Sequence, residues 1–268
     1  ILREGQTLTP RDIGVTAALG LTQVSVYKRP KVAVISTGAE IVGPGKPLTP
    51  GKIYDINTYS LSTAVSECGG NPIVLGTIPD ETDQLKSALE EALGLADVIV
   101  TSGGVSVGPT DVIPQVLGAL GEPGVIVCGI ASKPGKPTTI AIIDGKPVFS
   151  LPGHPTSSLL MFYIFVRPVI RKMAGGREET SATVSAIIAS KVFPARGRRT
   201  FVMVNLAHDR SGRLIASPVP LGLSGAITTL ARADGFVEIR ESQQFINAGD
   251  KVVVHLFKPT SYVGLLTE

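Results

Sequence analysis

Four segments of the chain carry residue types better suited to chemistry than to packing. Residues 101–111 read TSGGVSVGPTD, three glycines with two serines ending in a carboxylate, directly after the apolar run ADVIV. Gly103, Gly104 and Gly108 would let main-chain N–H groups turn inward, Ser102 and Ser106 would add hydroxyls, and a helix starting near Thr110 would bring its positive end to the same point. That combination suits an anion, phosphate above all, and a plain turn would need neither the serines nor Asp111. Residues 133–137 read KPGKP, so Lys133 and Lys136 sit on a proline-braced loop. Two held ammonium groups beside a phosphate cradle would suit an oxyanion; two solvated lysines on a turn is an equally open reading. Residues 151–155, LPGHP, repeat the pattern of strand end, bend and helix start, with Ser157 and Ser158 in the first turn. They suit either a second anion or nucleotide contact or a rigid proline stop at a helix N-terminus. His154 could act as an acid–base group or as an ordinary loop residue. Residues 36–40, STGAE, add Glu40. Glu40, Asp80, Glu81 and Asp111 all fall at strand ends or helix starts, where they can converge on one rim. Carboxylates beside phosphates are how proteins hold Mg2+, although helix capping alone would account for Asp80, Glu81 and Asp111.

The elements that must position these loops alternate between two periods. Short apolar runs predict strands at residues 32–35, 72–78, 98–100 and 125–127, and a hairpin of 138–143 with 147–150 around Asp144-Gly145. Helical periods predict a helix capped by Asp55 with Leu61, Ala64, Val65 and Cys68 on one face. Further helices are expected from Asp80 or Thr82 through Leu93, over 112–120, and over 155–173. Strands alternating with helices imply a mainly parallel sheet covered by helices on both faces, an α/β fold in which ligands bind at the carboxyl ends of the strands. After Gly176 the period drops to two, and 183–192, 201–206, 214–218, 235–239 and 251–256 read as strands of a small all-β, barrel-like domain. The expected division is 1–29 as a leading piece with one helix over 10–19, 30–176 as the α/β domain, and 177–268 as the β domain.

Bulk properties exclude several classes. The chain has 268 residues, 43% hydrophobic and 18% charged, with net charge +3. Its basic residues are spread along the chain, which argues against a nucleic-acid partner. Its longest apolar run, LLMFYIFV at 159–166, is too short to span a bilayer, so no membrane role is expected. Cys68 and Cys128 show no metal spacing and read as buried small hydrophobes, consistent with a reducing, cytoplasmic setting. The opening ILREGQTLTP enters mid-pattern, so further residues upstream are expected. No strand is followed by GxGxxG, against a Rossmann dehydrogenase.

Taken together, these segments resemble the C-terminal part of the molybdopterin molybdenumtransferase family, which includes the E domain of gephyrin. STGAE is similar to the family's STGDE, PDE (residues 79–81) to its acidic pair, and SGGVSVGPTD to its SGGVSVG segment with the following Asp. SKPGKP resembles KPGKP, and LPGHPTSS resembles LPGNPVS. PLGLSG (220–225) and LARADG (230–235) resemble parts of the family's β domain. The lead-in from Gly5 follows the family's passage into the sheet. The resemblance implies an enzyme that inserts molybdate, or tungstate, into adenylylated molybdopterin and releases AMP, assisted by Mg2+. It implies that Glu40, Asp80, Glu81 and Asp111 hold metal or position phosphate, with Glu40, Asp80 and Asp111 as metal ligands. Lys133 and Lys136 would meet molybdate or phosphate. Thr37, Gly38, Ser102, Gly103, Gly104, Ser106, Gly108, Pro134, Gly135, Pro152, Gly153, His154 and Ser157 would contact the pterin nucleotide. A homodimer is implied, as are exchanges with molybdopterin adenylyltransferase and cofactor-accepting enzymes. Ala39 stands where the family has Asp and His154 where it has Asn, and the family carries further domains upstream of this chain's start. Two rival readings are an adenylyltransferase-like enzyme, which would resemble the sheet alone, and a non-catalytic binding or scaffold module.

Overall fold

The computed structural model describes residues 2–104, 112–176, 182–219 and 226–257, with the backbone of 264–265. Helix α1 (Pro10–Ala18) leads in, its start held by the Thr9 N–H and hydroxyl, which both donate to Asp12. The first part then runs β1 (Lys31–Thr37), β2 (Ile41–Val42), β3 (Ile53–Tyr54), α2 (Asn57–Glu67), β4 (Asn71–Ile78), α3 (Thr82–Leu95) and β5 (Val98–Ser102). It continues through α4 (Val112–Leu120), β6 (Pro123–Cys128), β7 (Ser132–Lys133), β8 (Thr139–Ile143), β9 (Lys146–Leu151), α5 (Pro155–Met161) and α6 (Arg167–Met173). The second part holds β10 (Thr183–Ile188), β11 (Arg199–His208), β12 (Leu214–Pro218), α7 (Ala226–Arg232), β13 (Gly235–Ile239), β14 (Lys251–Leu256) and β15 (Gly264–Leu265).

The first sheet has the order β4-β1-β5-β9-β8-β6. β4, β1, β5 and β9 are parallel, and β8 runs antiparallel to both neighbours. β1 and β5 are buried along almost their whole length, the pattern of strands covered on both faces. Alternate residues serve alternate faces. Val32 and Val34 pack with Leu61, Val65, Leu160 and Phe162 on one side. Ala33 and Ile35 pack with Leu85, Leu89, Ile113 and Leu117 on the other. α2 and α5 therefore cover one face and α3 and α4 the opposite one, so both faces are covered, as the sequence pattern requires.

The second part closes into a five-stranded barrel, β12-β10-β14-β13-β11, through the β11–β12 pairing. Its core is apolar: Ile188, Val204, Leu206, Ala216, Val237 and Val254. β7 joins it from outside, Ser132 aligning with Arg199 and Lys133 with Thr200, so the barrel grips the start of the lysine loop.

Several expectations need correction. The strand expected over 183–192 stops at Ile188, with Val192 returning only as an isolated bridge to Ile246. The helix expected over 155–173 contains a π turn (Phe162–Val166) just before Pro168. A proline there has no N–H to give the preceding turn, which widens to accommodate it. α7, built partly from β-branched Ile227, Thr228 and Thr229, offers weak local signal and was not expected. Cys128 is exposed, because it ends the edge strand β6, where one side of the chain meets solvent. Cys68 is buried as expected, and burial pushes its thiol up to about 11.

Candidate functional site at the carboxyl rim of the sheet

The strand registers put the sequence-marked loops on one rim. Ser36 of β1 aligns with Thr77 of β4 and with Ser102 of β5, and Ser102 aligns with Leu151 of β9. Cys128, at the end of β6, aligns with Thr139, which in turn aligns with Ser150. The STGAE, PDE, SGG and LPGHP segments and the loop bearing KPGKP thus all leave the same edge. β1 and β5 are neighbours, yet the helices that follow them, α2 and α4, lie on opposite faces. This is the switch point at which open α/β sheets leave a crevice.

Close backbone approach defines the crevice. Gly103, at φ +100, presses on β1 so tightly that an added Cβ would lie 2.1 Å from the Thr37 carbonyl oxygen. A Cβ on Gly104 would lie 2.7 Å from Thr37 Oγ1 and 2.9 Å from Asp80 Oδ1. One on Gly153 would lie 3.3 Å from Gly103 Cα, and the Gly103 N–H donates to the Leu151 carbonyl at 3.2 Å. Thr37, Asp80, Gly103, Gly104 and Gly153 are therefore brought together, and only residues without a side chain let three strand ends meet this closely. Glu40 folds back over Gly38, where an added Cβ would lie 2.9 Å from Glu40 Oε1. The side chains of Asp80 and Glu40 are exposed.

The lysine loop is held from beneath. Gly135 lies against Met161 of α5, with a would-be Cβ 2.4 Å from the Met161 sulfur, and the Thr138 hydroxyl donates to the Gly135 carbonyl at 2.8 Å. Lys133 and Lys136 stand exposed above it, and neither has a carboxylate partner among the described residues. Pro134 is half-buried. Pro152 and Ser157 are buried, while His154 is exposed and precedes α5 without capping it through its side chain.

Glu81 directly follows Asp80 in the chain. It precedes α3, is exposed, and accepts a hydrogen bond from Gln84 along that helix at 2.6 Å. Ser106, Gly108 and Asp111 lie outside the described residues. Among the described residues no three acidic, His or Cys side chains gather closely enough to form a metal cage. That donor set still fits Mg2+, which keeps several waters and takes one or two carboxylates together with substrate phosphate.

Sequence reading missed the polar layer beneath the rim. Asp55 was expected to cap α2, and its Oδ1 does accept from the Thr58 N–H at 3.0 Å. The same buried carboxylate also accepts from the Ser36 hydroxyl at 3.1 Å and from Thr77 Oγ1 at 3.4 Å, tying α2 to β1 and β4. Asn57 donates through Nδ2 to Ser102 Oγ and to the Gly153 carbonyl, both at 2.7 Å. Ser102 Oγ also lies 3.2 Å from the Pro152 carbonyl and 3.1 Å from Ser158 Oγ. A signal was available: Asn57 falls in register with Leu61, Ala64 and Val65, a polar residue on the core face of a helix.

A cavity of about 530 Å3 lies elsewhere, in the seam between α6 and the barrel, lined by Tyr163, Phe201, Phe236, His255 and the Arg199–Glu238 ion pair. Its lining mixes aromatic, aliphatic and charged side chains and does not include the rim glycines.

An α/β sheet with a glycine-opened, hydroxyl-lined switch point, joined to a closed β-barrel, is the class of protein seen here. Residues 33–172 match the family described as a probable molybdopterin binding domain, and residues 185–257 match the MoeA C-terminal region (domain IV), so the chain belongs to the molybdopterin binding domain family and continues into that C-terminal region. It is 35% identical over 258 residues to molybdopterin molybdenumtransferase 2 of Mycobacterium tuberculosis, covering 95% of this chain and 63% of the relative. It is 33% identical to molybdopterin molybdenumtransferase of Bacillus subtilis, covering 96% and 60%. A solved molybdopterin biosynthesis MoeA protein from Pyrococcus horikoshii superposes with a TM-score of 0.85 at 43% identity, over 96% of this chain and 62% of that one. A molybdenum cofactor biosynthesis protein from Pyrococcus furiosus gives 0.72 at 26%, covering 96% and 78%. The chain thus spans little more than three fifths of the length of its curated relatives.

Proposed function

We propose that the rim binds adenylylated molybdopterin and that the chain serves molybdenum cofactor biosynthesis as a transferase, inserting molybdate with release of AMP. The observation that carries this reading is the meeting of Gly103 and Gly104 with Thr37 and Asp80 at the switch point, beside a braced loop whose two lysines have no carboxylate partner among the described residues. Main-chain N–H groups and lysines neutralise phosphate charge, which favours departure of AMP from the phosphoanhydride. Lys133 and Lys136 hold the molybdate substrate, or tungstate, which has the same charge. Glu40 and Asp80, with Asp111 added from sequence, would hold Mg2+, which when bound supplies further neutralisation of the phosphates. Glu81 serves α3 rather than the ligand. We assign 30–176 as the pterin-binding domain and 177–268 as the β domain, working in a homodimer in the cytoplasm and exchanging ligand with an adenylyltransferase and with cofactor-accepting enzymes. The barrel favours this reading over an adenylyltransferase, because it grips the lysine loop through β7. Among the described residues no helix is long and apolar enough to cross a membrane.

The test is to supply the protein with adenylylated molybdopterin, Mg2+ and molybdate and to follow AMP by chromatography. Molybdate-dependent AMP release, lost in K133A/K136A, is expected. Absence of both binding and AMP release would sink the reading. A second reading, a binding module without turnover, is favoured by one feature, the exposed Ala39 where the resemblance expects an acid. Tight Mg2+-dependent binding of AMP with no conversion would select it.

A further inference from the structure

Two buried polar side-chain atoms among the described residues have no hydrogen-bond partner, Thr37 Oγ1 and Asn57 Oδ1. They belong to one corner of the crevice. Thr37 ends β1, and its hydroxyl faces the backbone of Gly104 beside Asp80. Asn57 opens α2, and its amide nitrogen bridges Ser102, just before Gly103, to Gly153, which packs on Gly103. The Asn57 amide cannot be turned round to cure the defect. The Gly153 carbonyl only accepts, so Nδ2 must face it and the carbonyl oxygen is left over.

An unpartnered buried group of this kind is rare in native proteins and costs stability. Packing does not demand the Thr37 hydroxyl. A valine at position 37 would fill the same space without the hydroxyl, and the Thr37 hydroxyl has no hydrogen-bond partner among the described residues. Both atoms are buried at this corner of the crevice.

We propose that the Asn57 carbonyl oxygen, with the Thr37 hydroxyl beside it able to accept as well as donate, is held in reserve for a hydrogen-bond donor on the ligand, making Asn57 a specificity-determining residue of the crevice. An ionised phosphate or oxyanion presents acceptors only, and the Asn57 carbonyl oxygen, itself only an acceptor, repels it. The group that docks at this corner of the rim is therefore the neutral, N–H- or O–H-bearing part of the ligand. The anionic part stays with the glycine backbone and the lysines. This rests on the pterin-nucleotide reading and adds to it which end of the ligand goes in. A site that reserves acceptors for a donor rejects analogues lacking one, since the acceptors are then buried unpaired.

The test is calorimetric binding to the 268-residue chain with four probes: 2-amino-4-oxopteridine, 4-oxopteridine without the amino group, AMP, and inorganic pyrophosphate. T37V is expected to weaken the aminopteridine or AMP about five- to tenfold, to leave pyrophosphate within twofold, and not to lower the melting temperature, because no existing bond is lost. N57A is expected to show the same weakening with a lower melting temperature, since it loses its bonds to Ser102 and Gly153. A response to the aminopteridine puts the donor on the pterin half, and in that case deleting the amino group weakens wild type but not N57A. A response to AMP puts it on the adenosine half. Either response supports the proposal. Wild-type binding of the organic probes by both variants overturns it, as does equal weakening of pyrophosphate, or a wild type that binds pyrophosphate but neither organic probe; the anion cradle survives each of these outcomes. A wild type that binds none of the probes removes the pterin-nucleotide reading as well.

Discussion

At the carboxyl rim of the sheet Ser36, Thr37, Asp55, Asn57, Ser102 and Ser158 are all buried, while the described strands of the barrel bury a single polar side chain, Thr200. The barrel strands turn apolar residues inward, and Phe201, Met203 and Phe236 pack against the sheet's own core, so these side chains mainly fill space. The rim instead spends buried volume on hydroxyls, an amide and a carboxylate whose hydrogen bonds each net only about 0.5–1.5 kcal/mol. A protein accepts that weaker bargain where loops must be aimed rather than merely packed. The barrel stabilises, and the rim is built to hold something.

Paired substitutions can break this contrast. The largest effect is expected for G103A, whose new methyl group would meet the Thr37 carbonyl in a left-handed backbone. It should lose about 3–4 kcal/mol in urea denaturation and abolish AMP binding. The control is G197A, in a turn leading to β11 with φ +67 and open space around it, expected to cost about 1 kcal/mol and to leave binding intact. Next comes L206A in the barrel core, expected to cost about 3 kcal/mol without changing affinity for AMP. D55A should lose slightly less, about 2–3 kcal/mol, yet weaken AMP binding because α2 and its Asn57 come loose. Equal binding in L206A and D55A would erase the distinction drawn here.

K133A and K136A should sharpen it from the other side. Both side chains are exposed, so the melting temperature should stay unchanged, while pyrophosphate affinity falls about tenfold per lysine at low salt and less at high salt. The smallest effect concerns the barrel's turn residue Asp209. The Ser211 hydroxyl and the Arg213 N–H hold its carboxyl well below the usual carboxylate range. A carboxylate with a depressed folded value stabilises fully above its unfolded value near 4, and that contribution fades as pH falls further. D209N should therefore show a shallower loss of stability than wild type as pH drops below about 4, with AMP binding at neutral pH unchanged.

Much of this was legible before any fold was known. Continuous apolar runs such as VAVIS and VIV can only be doubly covered strands, the change of period after Gly176 marks the shift to β structure, and glycines clustered after a strand ask for close approach. Those are local properties, set by side-chain volume and backbone freedom within a few residues. Glu81 fits either role on sequence, because helix starts and ligand sites use the same residue types and spacing does not separate them. Cys128 was misjudged because an edge strand and an inner strand look alike one residue at a time.

The sequence by itself determined the alternation of strands and helices, the position of every loop that reaches the rim, and the residue types able to meet an anion there. Tertiary structure alone decided strand order and which of those loops touch. Asn57 meets Ser102 across 45 residues of chain and Gly153 across 96. Contacts of that separation depend on how two faces of a sheet are covered, which no local preference encodes. The unpaired oxygens of Thr37 and Asn57 exist only because that packing shut them in together.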